Sequence, residues 1–224
     1  MTVEGDVAIQ VAGETLVLLP EGAAFWRQQL TLLVADLHWG KAAVFRAAGI
    51  PVPAGTTSES VRRLDMLVKR TNARRVVFLG DLLHAKSGRS SDMFLALGEW
   101  SASLDGVELL LVRGNHDRRA GDPPPELRIV CVDAPHLAPP FVFAHHPGVS
   151  PDGYVLAGHV HPGVRLYGPA RQSERLPCFV IGTRGGILPA FGAFTGLGLI
   201  EPAEGDRIFV IAEDRVLTLG VQQA

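Results

Sequence analysis

Cysteine is nearly absent from the chain: Cys131 and Cys178 are the two in 224 residues, each inside an apolar run, IVCV and LPCFVI. Two cysteines make neither a disulfide framework nor a zinc ribbon, so both are expected as buried free thiols in a reducing compartment. An excess of one charge is missing too. Lysine and arginine number 21 against 23 acids, a net charge of -2, which gives no global attraction for a polyanion. A local basic rim remains open to Lys41, Arg46, Arg89, Arg113, Arg118, Arg119 and Arg184. Long hydrophobic runs are lacking. The longest uncharged stretch, Gly185 to Ile200, is broken by Pro189 and several glycines and falls short of the roughly 20 apolar residues of a membrane span. The first residues, MTVEGD, are acidic without an apolar core, so no secretory signal is read and a cytoplasmic protein is expected. No GxxxxGK[ST] loop occurs, which argues against nucleotide hydrolysis by a P-loop.

What is present is a series of short aliphatic runs, each ending in a polar cluster. The stretch VVFLGDLLH, Val76 to His84, delivers Asp81 at the end of its run. Around it stand Asp36-Leu37-His38, Gly114-Asn115-His116-Asp117, His145-His146 and Gly158-His159-Val160-His161. A run of four to eight apolar residues bounded by Gly, Pro or polar residues reads as a buried strand. Ligands of open α/β sheets gather where strands end, so five strand ends are expected to bring acids, imidazoles and one amide to one place. Asp36, His38, Asp81, Asn115, His145, His159 and His161 make seven oxygen and nitrogen donors. That is too many for one tetrahedral ion and suits two ions sharing a bridge, for which the two oxygens of Asp81 are the natural choice. Imidazole and carboxylate without thiolate suit manganese, iron or zinc.

These blocks, DLH, GDLLH, GNHD, the histidine after FVFA and GHVH, resemble the five blocks of the calcineurin-like metallophosphoesterases, in that family's order, over Leu32 to Arg184. The stretches DLHWGKAAVFRAAGIPVP and ILPAFGAFTG are similar to the bacterial branch of ligase-associated DNA damage response endonucleases. The resemblance implies an α/β/β/α sandwich of two mixed sheets with outer helices. It also implies two divalent ions, manganese foremost, with Asp36, His38 and His161 on one ion, Asn115, His145 and His159 on the other, and Asp81 shared. His116, held by Asp117, takes the role of proton donor at the leaving oxygen. Of the neighbours His145 and His146, the first ends the strand and is favoured as ligand, leaving His146 to orient a ligand or meet substrate. Lys41, Arg46, His84 and Arg118 are further candidates for substrate contact. On extended backbone, the two side chains of Asp36-x-His38, and of His159-x-His161, point the same way.

Length and composition fit one domain over residues 1–224. Val7 to Val11 and Thr15 to Leu19 form a hairpin pattern around Gly13, and Glu21 to Gln29 is ambiguous, with Trp26 expected in the core. Lys41 to Ala48 reads as a short helix ending at Gly49, followed by Pro51 and Pro53. Thr56 to Glu59 offer N-cap hydroxyls to a helix whose buried face carries Val61, Leu64, Leu67 and Val68. It leads to a strand over Arg75 to Leu79, a βαβ unit. Asp122-Pro-Pro-Pro-Glu126 is a surface linker, after which a mostly β second half is expected, beginning at Arg128 to Val132.

The reaction expected is in-line phosphoester hydrolysis by a metal-bound hydroxide without a covalent enzyme intermediate. The branch likeness makes DNA phosphodiesters the first substrate class, linked to repair, with a DNA ligase or helicase as partner or a homo-oligomer for long duplexes. A nucleotide or pyrophosphate compound, or a small phosphomonoester, is the alternative, and a non-catalytic scaffold of the same fold the third reading.

Overall fold

The computed structural model describes residues 3–52, 55–168 and 172–219, so Pro53 lies outside the described residues. Among these residues sixteen strands form two mixed sheets, and the four α-helices all precede Gly121. The first sheet follows chain order: β1 (Val7–Val11), β2 (Glu14–Leu19), β3 (Ala23–Trp26), β4 (Thr31–Val34), β5 (Arg75–Phe78), β6 (Glu108–Val112) and β7 (Ile129–Val132). The turn between β1 and β2 places Ala12 and Gly13 at φ 51 and 82, both positive as a two-residue hairpin turn requires. β1 to β4 pair antiparallel, β4 to β7 parallel. Three crossovers carry α1 (Lys41–Ala47) with α2 (Thr56–Thr71), then α3 (Ser91–Ser103), then α4 (Asn115–Ala120).

The second sheet contains β8 (His136–Ala138), β9 (Phe141–Phe143), β10 (Tyr154–Ala157), β11 (Pro162–Tyr167), β12 (Ser173–Ile181), β13 (Gly185–Ile187) and β14 (Gly198–Leu199). Their spatial order is β14-β11-β12-β13-β10-β9-β8, with β15 (Arg207–Ala212) on β12 and β16 (Arg215–Leu219) on β15. The sandwich of two mixed sheets implied by the resemblance is therefore the fold.

Strand alternation sorts the core into layers. On β4, Leu32 and Val34 turn toward Leu64 and Leu67 of α2 and Leu97 and Trp100 of α3. Leu33 turns the other way, to Phe141, Phe143, Phe179 and Phe209 of the second sheet. With both faces covered, β4 is buried at every residue, which is why it reads as an unbroken apolar run. Each such side chain contributes about 1.5 to 3 kcal/mol on burial.

Two expectations need correction. Arg128 to Val132 does not open the second half. Its residues Ile129–Val132 are the edge of the first sheet, parallel to β6, because the proline segment is part of one more β–α–β return rather than a boundary. The hydroxyls of Thr56 to Ser58 do not cap α2: its N-cap is Gly55 at φ 85, with no side-chain cap bond. The ambiguous Glu21 to Gln29 contains β3, and Trp26 is buried in the core, its Nε1 donating to Glu14 at 2.7 Å.

Candidate metal centre

Five loops leave the C-terminal ends of β4, β5, β6, β9 and β10, carrying Asp36 and His38, Asp81, Asn115, His145, and His159 and His161. The backbone leaves the strand conformation abruptly. Asp36, His38, Asp81, His159 and His161 all have positive φ, at 55, 49, 51, 71 and 50°. The expectation that the paired side chains share a face of extended backbone is therefore replaced by left-handed turns at each of them. That conformation costs of order 1–3 kcal/mol per non-glycine residue and persists where its surroundings enforce it. The loops enforce it on one another. Asp36 N–H donates to Gly80 O at 3.1 Å, His38 N–H to Asp81 O at 2.9 Å, and Gly158 N–H to His145 O at 3.1 Å. Side chains add to this: His116 N–H donates to Asp81 Oδ1 at 2.8 Å, and His159 N–H to Asp36 Oδ2 at 2.8 Å.

Three imidazoles are oriented by the same device. Nδ1 of His145 lies 3.0 Å from Leu79 O, that of His161 3.2 Å from Gly196 O, and that of His116 2.6 Å from His84 O. A carbonyl only accepts, so each Nδ1 carries the proton and donates, leaving Nε2 to face the centre. Nε2 of His161 then lies 3.5 Å from Asp36 Oδ1, and Nε2 of His145 lies 3.4 Å from Asp81 Oδ2 and 3.0 Å from both Asn115 Oδ1 and His159 Nδ1. Donor atoms of Asp36, His38 and His161 all lie within 4.8 Å of one another, as do those of Asp36, Asp81 and His145, and of His145, His146 and His159. The structure thus brings all seven expected donors together, with Asp81 between the groups, and brings in His146 and His84 besides.

The electrostatics call for positive charge at this point. Asp36 is fully buried and its Oδ1 has no hydrogen-bond partner, an arrangement that is costly unless a cation answers it. Burial works against the Asp81 carboxylate, but the hydrogen bond and charge of His145, the His116 amide and His38 outweigh it and hold Asp81 at about 2. Burial also opposes charge on His145, and Asp81 overrides it and raises that pKa. Burial lowers His38 to about 3, and burial with the neighbouring His116 lowers His84 to about 4, so both offer lone pairs at neutral pH. Oxygen and imidazole donors with an orphaned carboxylate oxygen fit divalent cations.

The remaining candidates divide. His116 faces the centre, its Nε2 3.9 Å from Asp81 Oδ2. Asp117 does not hold it. Its two oxygens accept the buried amides of Leu83 and Gly114, each at 2.9 Å, so it ties the β5 and β6 loops together. Lys41 is half-buried near the centre, and its charge helps to lower His38 and His84. Arg46 lines a groove of about 560 Å³ between α1, α2 and α3. Arg118 turns to Asp133 at 3.0 Å, Arg113 to Asp122 at 2.7 Å, and Arg89 to the carbonyls of Ala120, Gly121 and Asp122, so much of the basic rim braces loops. Sequence reasoning assigned no role to the stretch Phe191 to Gly198, which orients His161 and contacts the Asp36 backbone. Its density of glycine and phenylalanine was the available signal.

No curated protein matches the chain in sequence. Among solved structures, that of the Pseudomonas putida nuclease MPE is 39% identical, covers 96% of this chain and 100% of its own, and superimposes with a TM-score of 0.84. Yfce, a phosphoesterase from E. coli, is 14% identical over 82% of this chain and 88% of its own, with a TM-score of 0.38. The family model for calcineurin-like phosphoesterases matches residues 30–166, more than half of the chain and the span that holds all seven donors. The chain therefore belongs to the calcineurin-like phosphoesterases and is a metal-dependent hydrolase of phosphoester bonds.

Proposed function

We propose that this hydrolase works with two divalent ions, manganese foremost, on the phosphodiester bonds of DNA. The observation that carries the reading is the meeting of two donor groups at Asp81: Asp36, His38 and His161 on one side, and on the other His145, whose Nε2 lies 3.0 Å from Asn115 Oδ1 and from His159 Nδ1. When bound, a pair of divalent ions supplies an activated water and neutralises charge on the phosphoryl oxygens. The chain's own residues do the rest. Asp36 and Asp81 set the charge of the site, and the carbonyls of Leu79 and Gly196 fix the imidazole tautomers. His116 donates its Nδ1 proton to the His84 carbonyl and, in the form that carries a second proton on Nε2, gives that proton to the departing oxygen, leaving the neutral Nδ1–H ring. The likeness to a nuclease at 39% identity favours a nucleic-acid diester over a small monoester. With a net charge of -2, a partner such as a ligase or helicase supplies recognition of long duplexes, in keeping with a role in DNA repair in the cytoplasm.

The test strips the protein of metal, restores manganese, and compares a phosphodiester, a phosphomonoester and single-stranded DNA as substrates for the wild type and Asp81→Asn. Cleavage of the diester and DNA, with Asp81→Asn at least ~100-fold slower, is the expected result. Cleavage of the monoester alone would assign the site to a small phosphate compound.

A further inference from the structure

The segment between β13 and β14 enters the steps above only through the Gly196 carbonyl, yet it is built against the centre at both ends. Phe191 N–H donates to Ala35 O at 2.8 Å and Gly192 N–H to Asp36 O at 3.1 Å. At the other end Gly196 O accepts from His161 at 3.2 Å, and Gly198 N–H donates to His161 O at 2.9 Å. The first contact is so close that a Cβ on Gly192 would lie 2.6 Å from Leu37 O. Thr195 Oγ1 closes the segment on itself by donating to Gly192 O at 3.0 Å. The two phenylalanines within this frame have opposite fates. Phe191 is 1% exposed under the Arg63 guanidinium, whereas Phe194 is 38% exposed, the one exposed phenylalanine among the described residues.

An apolar ring held in water beside a charged centre is unexplained by packing. Phe194 and Thr195 share a cleft with His38, Lys41, Thr56 and Thr57. The cleft holds about 20 Å³, room for one water, too little to enclose a base or a phosphate. Lys41 stands on the same cleft with its ammonium 5.5 Å from the Phe45 ring centre.

We propose that Phe194 and Lys41 form a subsite for the nucleotide next to the cleaved phosphate, with an unpaired base stacked on the Phe194 ring and its backbone phosphate on the Lys41 ammonium. The inference rests on the DNA reading given above. Stacking on an aromatic side chain is tolerant of sequence, and its removal weakens binding roughly 5- to 100-fold. An ammonium contacts phosphate as a point charge whether or not a base is attached.

The test uses single-stranded DNA and a fully abasic deoxyribose-phosphate strand of the same length, in manganese, with the wild type, Phe194→Ala, Phe194→Trp and Lys41→Gln. The wild type is expected to show a KM for the base-bearing strand roughly 5- to 100-fold below that for the abasic one. This ratio collapses in Phe194→Ala, survives in Phe194→Trp, and survives in Lys41→Gln while both KM values rise. In parallel, 2-aminopurine fluorescence in the strand is quenched on binding to the metal-stripped wild type and to Phe194→Trp, and not to Phe194→Ala. A wild type that does not distinguish the strands, or a ratio unmoved in Phe194→Ala, overturns the subsite and leaves the nuclease reading standing. If the wild type cuts neither strand, the DNA reading falls and the subsite with it.

Discussion

His116 and Asp117 are neighbours in the chain and look in different directions. They sit in the first turn of α4, where residues i and i+1 do not face each other, so adjacency in GNHD does not make a pair. His116 meets the centre and Asp117 the buried amides of Leu83 and Gly114. The two positions should separate stability from chemistry. Asp117→Ala leaves two buried donors unpaired and is expected to lower the unfolding free energy by about 2 to 4 kcal/mol. His116→Ala loses one half-buried bond, to His84 O, and is expected to cost about 0.5 to 1.5 kcal/mol, less than Asp117→Ala, and to lower turnover by roughly 10²- to 10⁴-fold. Denaturant midpoints set beside turnover numbers check both, and a His116→Ala protein with normal turnover would remove that residue from catalysis. The chemistry of the seven donors was legible in the sequence because donor type and position after an apolar run are local properties. The true partner of Asp117 was not, because it is an amide in another loop.

At the scale of elements, the glycines ahead of the donors have a reason that lies in other loops. A Cβ on Gly80 would strike the His145 ring, one on Gly114 the Asp81 carboxylate, and one on Gly158 would lie 2.5 Å from Asp36 Oδ2. Each glycine is the space in which another loop's side chain sits, from the adjacent strand for Gly114 and from the opposite sheet for Gly80 and Gly158, so GD, GNHD and GHxH are complementary shapes. Gly158→Ala, at a residue where no positive φ is involved, is expected to displace Asp36 and lower bound metal below that of the wild type, measured by elemental analysis after dialysis. Full metal content in that variant would show that the centre tolerates the displacement. Strands such as β4 were legible because burial on both faces leaves an unbroken apolar run. β13, the tripeptide GGI, was not, being short and glycine-rich. β7 was seen as a strand but given to the wrong sheet, since pairing partners are set by the return of the chain rather than by its own residues.

At the scale of the molecule, the layer between the sheets draws on residues from Ile9 to Val216, and the layer beneath the helices on residues from Val17 to Phe191. No helix among the described residues is long and apolar enough to cross a membrane. We propose that residues 1–224 fold as one unit, because neither layer is complete without both halves of the chain. Trp26 reports on the first layer, and Trp39 and Trp100 on the second. Tryptophan fluorescence and far-ultraviolet circular dichroism should therefore trace a single denaturation curve. Saturating manganese should move that curve upward without splitting it, by about 2.7 kcal/mol for each ion bound at a hundredfold excess over its Kd. Two separated transitions would divide the chain into independent units.

The left-handed turns at Asp36, His38, Asp81, His159 and His161 have one more consequence, for the alphabet available to the site. Among residues with a side chain, asparagine, aspartate and histidine are the ones enriched at positive φ, and they are also the short donors a cation takes up. Each of these five positions is thus filtered twice, by backbone shape and by donor chemistry. Replacements that answer only the second filter, such as glutamate for Asp81, have to meet a turn their own backbone resists. The vocabulary of the site is narrower than coordination chemistry alone would allow.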